Sequence, residues 1–282
     1  MKAITDTLSV SRSNQYEQIG NNPAVYKRHY RKPEDNGHLS LIRRIIEERP
    51  TYGYRRITAI LNRYLLFLGQ PRVNHKRIYR IMKINGLLLQ RYTGRPARSH
   101  DGKVMVDRSN MRWCSDAFEI TCWNRERVRV AFSMDCCDRE IMSYAATTRG
   151  ISGEMIKDLM AEAIACRFGF TNQIPEKIEW LSDNGSAYTA HETRSFAKMM
   201  GLETITTPVQ SPESNGMAEA FIKTFKRDYV DVNPLTDAIT VLNQLPKWFE
   251  DYNINHPHKA LKMMSPKEFR DQQVKLEGCP VL

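Results

Sequence analysis

The sequence predicts an α/β domain built on a mixed five-stranded sheet, preceded by an all-α, basic region. From about residue 110 onward, strand-like segments alternate with amphipathic helices, whereas earlier segments show helical periodicity only. The charge changes at the same place: residues 1–110 carry 22 Lys and Arg against 8 Asp and Glu, and residues 111–282 carry 20 against 24. A strongly basic half is typical of polyanion binding. The acidic groups of the second half therefore need a separate explanation.

The composition excludes several classes of protein. Hydrophobic residues make up 41% of the chain and charged residues 26%, which excludes a mostly disordered chain. The sequence has no apolar run of about 18 residues and no apolar signal-peptide core at its start. We therefore expect a cytoplasmic, nucleoid-associated protein that does not enter a membrane. The 6 cysteines form no CxxC pair, which argues against zinc, and Cys136 and Cys137 are expected to be small core residues in a reducing compartment.

The basic half predicts a helix-turn-helix domain over residues 37–89. Residues 1–36 form an extension whose first 20 residues resemble part of another helix-turn-helix. Pro50 is expected to end the first helix, and a break at residues 69–71 precedes the last one. The apolar stripes of the three helices are expected to be Leu39, Ile42, Ile45 and Ile46, then Ile57, Ile60, Leu61 and Leu65, then Val73, Ile78, Ile81 and Met82.

The last of these helices is the predicted DNA-reading element. Asn74 is its expected N-cap and Gly86 its expected C-cap. Its basic residues mostly point away from the apolar stripe, as a recognition helix requires. A structural helical bundle with a charged rim is the alternative. The candidate DNA-binding residues in this domain are Arg55, Arg56, Lys76, Arg77, Arg80 and Lys83.

A basic linker is predicted at residues 90–109. A second domain, which ends in helices, is predicted at residues 110–272. The expected strands cover residues 112–120, 127–137, 140–148, 177–183 and 202–208, and the first three form an antiparallel meander. Helices are expected at residues 153–168, 191–201, 217–229 and 236–252. This order is that of a ribonuclease-H-like fold.

Three carboxylates stand out in this second domain. Asp116 lies in the first strand, Asp183 at the end of the fourth, and Glu219 near the start of a helix. Acids from separate elements that meet at one mouth of a sheet suit hard divalent cations, and two such ions can support phosphoryl transfer. Two of the acids also have a plainer interpretation: Asp183 begins an Asp-Asn-Gly turn, and Glu219 complements a helix dipole. Asp116 is harder to explain in this way, because an unpaired buried carboxylate is costly. Asp135 and Asp138 compete with Asp116, but their DCCDRE context indicates the end of a hairpin strand.

The helix that contains Glu219 adds two candidate DNA contacts. Glu219, Lys223 and Lys226 fall at i, i+4 and i+7, on a common face. An ordinary salt bridge between Glu219 and Lys223 is the plainer interpretation. The sharper hypothesis is that both lysines contact DNA phosphates while the acid binds metal.

These residues resemble a known family. The three acids, with 35 residues between Asp183 and Glu219 and with Lys226 seven positions after the glutamate, resemble the DDE signature of retroviral integrases and their bacterial relatives. The segments WCSDAFE, LSDNGSAY, SPESNGMAEAFIKTFKRDY and YNINHPHKALKMMSPKEF are similar to the OrfB transposases of the IS-three family, especially its IS-two-like group. TYGYRRITAIL and KRIYRIMKINGLL resemble that family's helix-turn-helix module, so the resemblance covers residues 38–270.

The resemblance implies the chemistry of the site. A water would cut the DNA at the element's end and free a 3′-hydroxyl, which would then attack another phosphodiester without a covalent protein intermediate. Asp116, Asp183 and Glu219 would hold two divalent metal ions, Mg²⁺ or Mn²⁺. Lys226 would contact end DNA, while Asn184, Gly185, Asn215 and Gly216 would shape the site.

The resemblance also implies partners. These are the terminal inverted repeats of an insertion element, target DNA, an upstream OrfA with which OrfB is made as a fusion, and further copies of the chain on DNA. Two departures from the pattern are present: Phe118 stands where Thr often follows the first acid, and the zinc-binding domain of retroviral integrases is absent from the sequence. The alternatives are a DNA-binding regulator derived from an inactive transposase, and a ribonuclease-H-type nuclease that cuts without joining.

Overall fold

The computed structural model describes residues 33–90, 106–171, 174–206 and 216–277. The chain divides into two compact units, Met1–Leu41 and Ile42–Leu282. Most of the predicted extension, residues 1–36, and most of the predicted linker, residues 90–109, lie outside the described residues.

Three helices form the basic region: α1 (Asp35–Glu48), α2 (Tyr54–Phe67) and α3 (His75–Ile84). The predicted apolar stripes are largely confirmed, because most of their members are buried and only Leu39, Ile46 and Ile60 are half-buried. Helix α1 ends two residues before Pro50, as expected for a residue that cannot continue a helix.

The ends of α3 differ slightly from the prediction. The side chain of Asn74 accepts a hydrogen bond from the backbone N–H of Lys76, so the predicted N-cap is confirmed. The C-cap is Asn85, and Gly86 follows it with a φ of 67°. The predicted C-cap was therefore one residue too late, because glycine supplies the left-handed residue after the cap.

The second domain contains the five predicted strands: β1 (Arg112–Thr121), β2 (Arg127–Asp135), β3 (Ile141–Thr147), β4 (Ile178–Ser182) and β5 (Leu202–Thr206). Their spatial order is β3-β2-β1-β4-β5. The first three strands pair antiparallel, as predicted, and β1, β4 and β5 run parallel. The mixed sheet places the carboxyl end of β4 beside the middle of β1.

Helices cover both faces of this sheet. Helices α4 (Gly153–Phe168), α5 (Ser186–Thr189) and α6 (His191–Met199) follow β3 and β4, and the cluster on their side includes Trp113 and Trp180. On the other face lie α7 (Gly216–Phe225), a π-helix (Lys226–Val230) and α8 (Ala238–Asn255), whose aromatic residues pack against Phe118 and Phe132. A last helix, α9, spans Pro266–Glu277.

The helix predicted at residues 217–229 changes its geometry at Lys226. The backbone N–H of Asp231 bonds the carbonyl of Lys226 at 2.8 Å, an i to i+5 bond in place of the α-helical i to i+4 bond. This wider turn allows three consecutive residues, Asp228, Tyr229 and Val230, to be buried together. The sequence pattern did not predict this change of helix type.

Two smaller expectations can be compared with the described residues. Cys136 is buried as predicted, but Cys137 is only half-buried, because β2 ends at Asp135 and Cys137 lies in the following turn. Among the described residues, no helix is long and apolar enough to span a membrane.

Candidate active site

The register of two parallel strands places Asp116 and Asp183 together. Strand β1 pairs with β4 so that Cys114 lies opposite Leu181. Two residues further along the same register, Asp116 falls opposite Asp183. Neighbouring strands lie about 4.7–4.9 Å apart, so the two carboxylates leave the sheet side by side.

The side chain of Asp116 faces the helix that contains Glu219. Cys114 and Phe118, two positions away on either side in β1, belong to the same apolar cluster as Phe221 and Phe225 of α7. Because side chains alternate along a strand, Asp116 points to this same face. Strand β1 and helix α7 thus bring the first and third candidate acids toward each other.

Asp116 lies close enough to the other two candidate acids for their charges to act on it. Burial raises the pKa of Asp116 to about 6, and the negative charges of Asp183 and Glu219 contribute to the rise. The backbone N–H of Ala117 donates to Asp116 Oδ1 at 2.7 Å and opposes this effect. No cation of the described residues contributes to the pKa of Asp116. The site therefore gathers negative charge that the described part of the chain does not neutralise.

The turn after β4 holds Asp183 in place. The backbone N–H of Gly185 donates to Asp183 Oδ1 at 3.0 Å. A Cβ at position 185 would lie 3.0 Å from the same oxygen, so a larger residue would press on the carboxylate. The Asp-Asn-Gly turn expected as the plainer interpretation is thus present, and it orients the candidate acid.

Tyr188 is a neighbour of the site that the sequence did not single out. Its hydroxyl lies 2.8 Å from Ser115 Oγ, in the strand residue just before Asp116. Burial raises the pKa of Tyr188 above its usual range, and the charges of Asp116 and Asp183 add to the rise. The neutral phenol therefore braces the start of α5 against β1. The only available signal was its place in the LSDNGSAY segment.

Glu219 and its two lysines lie on the exposed side of α7 and at the start of the π-helix. Lys223 Nζ lies 3.6 Å from Glu219 Oε2, so the expected i, i+4 salt bridge is present. Lys226 Nζ lies 5.8 Å from the centre of the Phe118 ring. Phe118, which departs from the family pattern, therefore supports the lysine with an aromatic face.

The donor set suits a hard divalent cation. Asp116, Asp183 and Glu219 present only carboxylate oxygens, which Mg²⁺ and Mn²⁺ prefer. In the described residues, no group of three or more His, Cys, Asp or Glu side chains is drawn close enough to form a preassembled metal cage. Mutual repulsion disfavours close approach of three carboxylates when no cation is bound. The segment before α7, including Asn215, lies outside the described residues.

The competing acids have a different environment. Asp138 accepts two hydrogen bonds from Arg167 Nη2, at 2.9 and 3.0 Å, and Asp135 lies 3.9 Å from the same atom. Glu140 bonds both Arg167 and Arg270. Asp135 and Asp138 are fully buried. The acids at the end of β2 and in the turn after it therefore form a buried ion-pair network, at the end of a hairpin strand as the DCCDRE context indicated.

The predicted DNA-binding residues of the front region fall into three groups. Lys76 and Lys83 are exposed on α3, while Arg77 and Arg80 are half-buried there. Arg55 is exposed and stacks on Tyr54, 5.5 Å from the ring centre. Arg56 differs, because its guanidinium bonds the buried carboxylate of Asp228 at 2.9 Å. It faces the second domain, although we expected it on a DNA-binding surface.

Comparisons with known proteins agree with this architecture. Two family models described as Integrase core domain match residues 106–212 and 200–266, and one described as HTH-like domain matches residues 33–95. The Escherichia coli protein "Transposase InsD for insertion element IS2A/D/F/H/I/K" is 50% identical over 249 residues, which cover 87% of this chain and 82% of that protein.

Two solved structures are similar to parts of the chain at low sequence identity. The simian T-cell lymphotropic virus intasome in complex with PP2A regulatory subunit B56 gamma is 18% identical, with a TM-score of 0.47, and the match covers 74% of this chain and 69% of that chain. The Mos1 transposase catalytic domain with Raltegravir and Mg is 15% identical, with a TM-score of 0.40, and covers 50% of this chain and 71% of that chain. The extent of the match to the Escherichia coli relative, together with the integrase-core matches, shows that the chain belongs to the InsD transposase family of IS2 insertion elements and is a DDE-type polynucleotidyl transferase.

Proposed function

We propose that this chain cuts and joins DNA strands at the ends of an insertion element of the IS-three family, with Asp116, Asp183 and Glu219 as its catalytic carboxylates. One observation carries the assignment of residues: Asp116 is half-buried beside the charges of Asp183 and Glu219, and no cation of the described residues lowers its pKa. Such a cluster is better suited to binding a cation than to stabilising the fold, because the carboxylates stay ionised together only when a cation is supplied.

The three carboxylates are the proposed ligands of two divalent cations, Mg²⁺ or Mn²⁺. When bound, such ions supply Lewis acidity at phosphorus and favour ionisation of the attacking hydroxyl. The chain itself supplies the geometry. Gly185 orients Asp183, the rigid β1 strand positions Asp116, and α7 presents Glu219.

The reaction needs no covalent bond to the protein. A water oxygen bonds to phosphorus at the element's end, the bond from phosphorus to the 3′-oxygen breaks, and the free 3′-hydroxyl remains. This hydroxyl then bonds to a phosphorus of the target strand and displaces the target's own 3′-oxygen, which takes up a proton. We propose that Lys223 and Lys226 contact the phosphates of the bound DNA, where their charge offsets that of the backbone.

The front region is proposed to hold the terminal repeat. Helix α3 presents Lys76 and Lys83 to solvent, and Arg55 lies exposed at the start of α2. Phosphate contacts of this kind give affinity and register on the duplex. Assembly of several copies on DNA, and joint action with an OrfA protein, belong to the same proposal.

Strand joining tests the proposal directly. A labelled duplex with the element's terminal repeat is incubated with supercoiled plasmid and Mg²⁺, using the chain alone and the chain fused to its upstream frame. We expect Glu219→Gln and Asp116→Asn to lower joining by about 1000-fold or more, since metal-assisted charge stabilisation is worth several kcal/mol. Glu192→Gln, which removes an exposed carboxylate from α6, serves as the control.

Two outcomes would overturn the proposal. Specific DNA binding without Mg²⁺-dependent joining by the wild-type fusion would favour a regulator derived from an inactive transposase. Cleavage of the labelled end without transfer into the plasmid would favour a nuclease that cuts but does not join.

A further inference from the structure

Asp228 is a buried acid in the π-helix that the proposed chemistry does not use. Its side chain is 1% exposed. Thr51 Oγ1 and Arg227 Nε donate to its Oδ1, each at 2.6 Å, while Arg227 Nη2 and Arg56 Nη1 donate to its Oδ2 at 2.6 and 2.9 Å. Both carboxylate oxygens are therefore fully bonded, and two of the four bonds come from the front helical region. We call Thr51, Arg56, Arg227 and Asp228 the arginine joint.

A second set of bonds leads from the front region to the same π-helix. Arg49 pairs with Asp251 of α8 through two guanidinium nitrogens. Tyr229, the residue after Asp228, donates its hydroxyl to that same carboxylate at 2.9 Å. Tyr52, between these two arginines in the chain, bonds His256 Nδ1 at 2.9 Å. The segment from Arg49 to Arg56 is therefore bonded to Asp228 directly and to Tyr229 through the shared carboxylate of Asp251.

The π-helix directly continues the helix of the candidate active site. Lys226 is its first residue, and Glu219 lies seven residues earlier on α7. Helices transmit displacement along their axis because each turn is bonded to the next. A shift of Asp228 therefore moves Lys226 and, through α7, Glu219. The wide turn also makes this segment the least regular part of the helix, where an external support has the most effect.

We infer that Asp228 and Arg56 are positioning residues, through which the front helical region fixes the helix that contains Glu219 and Lys226. This inference rests on the proposed function for its catalytic consequence. Arg56 acts through Asp228 rather than through DNA phosphate. The joint gives the DNA-binding region a direct physical connection to the site of strand transfer.

Arg63 provides a matched control on the same helix. It lies seven residues after Arg56 on α2 and also reaches the second domain. It donates to the carbonyl of Asn255 at 2.7 Å and pairs with Glu268 of α9, away from the π-helix. Removing Arg63 therefore weakens the attachment of the front region without touching the arginine joint.

Hydrogen exchange of the full-length chain tests the joint without any reaction. We expect Arg56→Gln to speed exchange at the amide of Asp231, which closes the π-helix, by about tenfold or more, because local opening sets this rate. Arg63→Gln should leave exchange across residues 216–231 as in the wild type. Equal exchange in the two variants would overturn the inference. Thr51→Val, which removes one bond to Asp228, is the milder variant if Arg56→Gln does not fold.

Strand joining then separates positioning from DNA binding. With a terminal-repeat duplex that already carries a free 3′-hydroxyl, we expect Arg56→Gln to lower the rate at saturating duplex by about tenfold, since a displacement of about 1 Å can lower rates 100-fold. Its Kd for the duplex should stay within about twofold of the wild type. Arg56→Lys should recover part of the rate. A raised Kd with an unchanged saturating rate would overturn the inference and return Arg56 to the DNA-binding surface.

The two proposals fail in different ways. If Glu219→Gln joins DNA as fast as the wild type, the proposed function is wrong, but hydrogen exchange at Asp231 still decides whether the arginine joint holds the π-helix. If Glu219→Gln is inactive while Arg56→Gln matches Arg63→Gln in both exchange and rate, only the positioning role is wrong.

Discussion

Two groups of three acids lie in the same domain, and they differ in how their charge is balanced. One group is Asp135, the last residue of β2, with Asp138 and Glu140 from the turn after it. These acids surround Arg167, whose side chain is only 3% exposed. The other three acids are Asp116 in the middle of β1, Asp183 directly after β4, and Glu219 in the first turn of α7. There, the described residues provide a cation only to Glu219, through the exposed Lys223.

The pKa values show that burial alone does not separate the two groups. Burial raises the pKa of Asp116 and of Asp135 to about 6 in each case. The difference is that Arg167 opposes the rise at Asp135, whereas only a backbone N–H opposes it at Asp116. We call Asp135, Asp138 and Glu140 the neutralised acid group, and Asp116, Asp183 and Glu219 the open acid group. The neutralised group stabilises the fold. The open group, whose two aspartates have no protein cation among the described residues, is available to an external cation.

The largest expected effect is on the neutralised group. Arg167→Gln should lower the free energy of unfolding by about 3–5 kcal/mol, because it leaves buried carboxylates without their cation. Arg108→Gln is the control, since Arg108 and Glu176 form a pair that is more than half exposed. Urea denaturation measures both variants. Equal small losses would mean that the buried network is not a structural element.

Acidification is expected to lower the free energy of unfolding through two buried histidines, not through the open acid group. Burial lowers the pKa of His258 to about 3 and that of His256 well below its usual value. Between the unfolded value of about 6.5 and these lower values, only the unfolded chain takes up the protons. Stability is therefore present above about pH 6.5 and lost as the pH falls, by about 2 kcal/mol per histidine at pH 5.

Denaturation midpoints from pH 7 to pH 5 measure this loss. His258→Gln should flatten the dependence, and a pH profile as steep as that of the wild type would contradict the assignment. The variant's own stability at pH 7 provides the reference for this comparison.

Removal of a charge from the open acid group should raise the free energy of unfolding, whereas removal of the Arg167 charge from the neutralised group should lower it. Asp116→Asn removes a charge that burial disfavours and that Asp183 and Glu219 repel. In the absence of metal we therefore expect the free energy of unfolding to rise by about 1 kcal/mol, given that one pKa unit corresponds to about 1.4 kcal/mol. Thermal unfolding in the presence of a chelator measures it. A loss of several kcal/mol would instead place Asp116 among the structural acids.

The smallest effect on stability is expected at the exposed salt bridge between Lys223 and Glu219 of the open acid group. Lys223→Gln should change the free energy of unfolding by no more than about 0.5 kcal/mol. It should also reduce the salt dependence of DNA binding by about one phosphate contact. A stability change without any change in the salt dependence would favour the plain salt bridge over a DNA contact.

Most of the secondary structure could be predicted from the sequence, because it follows from the periodic spacing of buried apolar residues. The strands of the sheet, the amphipathic α4 and the Asn74 cap depend on local patterns that a reader can see. The candidate acids were found because Asp116 is a carboxylate in an apolar strand and Asp183 begins a turn after another. The agreement is strongest where one local pattern decides the structure.

What the sequence did not predict depends on contacts between distant residues. Arg56 and Asp228 are 172 residues apart, so no window of the sequence shows that the arginine faces a buried acid and not solvent. The π-helix has the same origin, because its wide turn accommodates buried side chains that face the front region. Tyr188 was overlooked because its partner, Ser115, lies 73 residues earlier, in β1.

Binding of Mg²⁺ in the absence of DNA tests most directly whether the open acids take an external cation. Thermal unfolding is followed as Mg²⁺ is added to the wild type, to Asp116→Asn and to the control Glu192→Gln. We expect saturating metal to stabilise the wild type and the control alike, by about 2.7 kcal/mol at 100 times the Kd, and Asp116→Asn far less. An equal stabilisation of Asp116→Asn, or none in the wild type, would contradict the account.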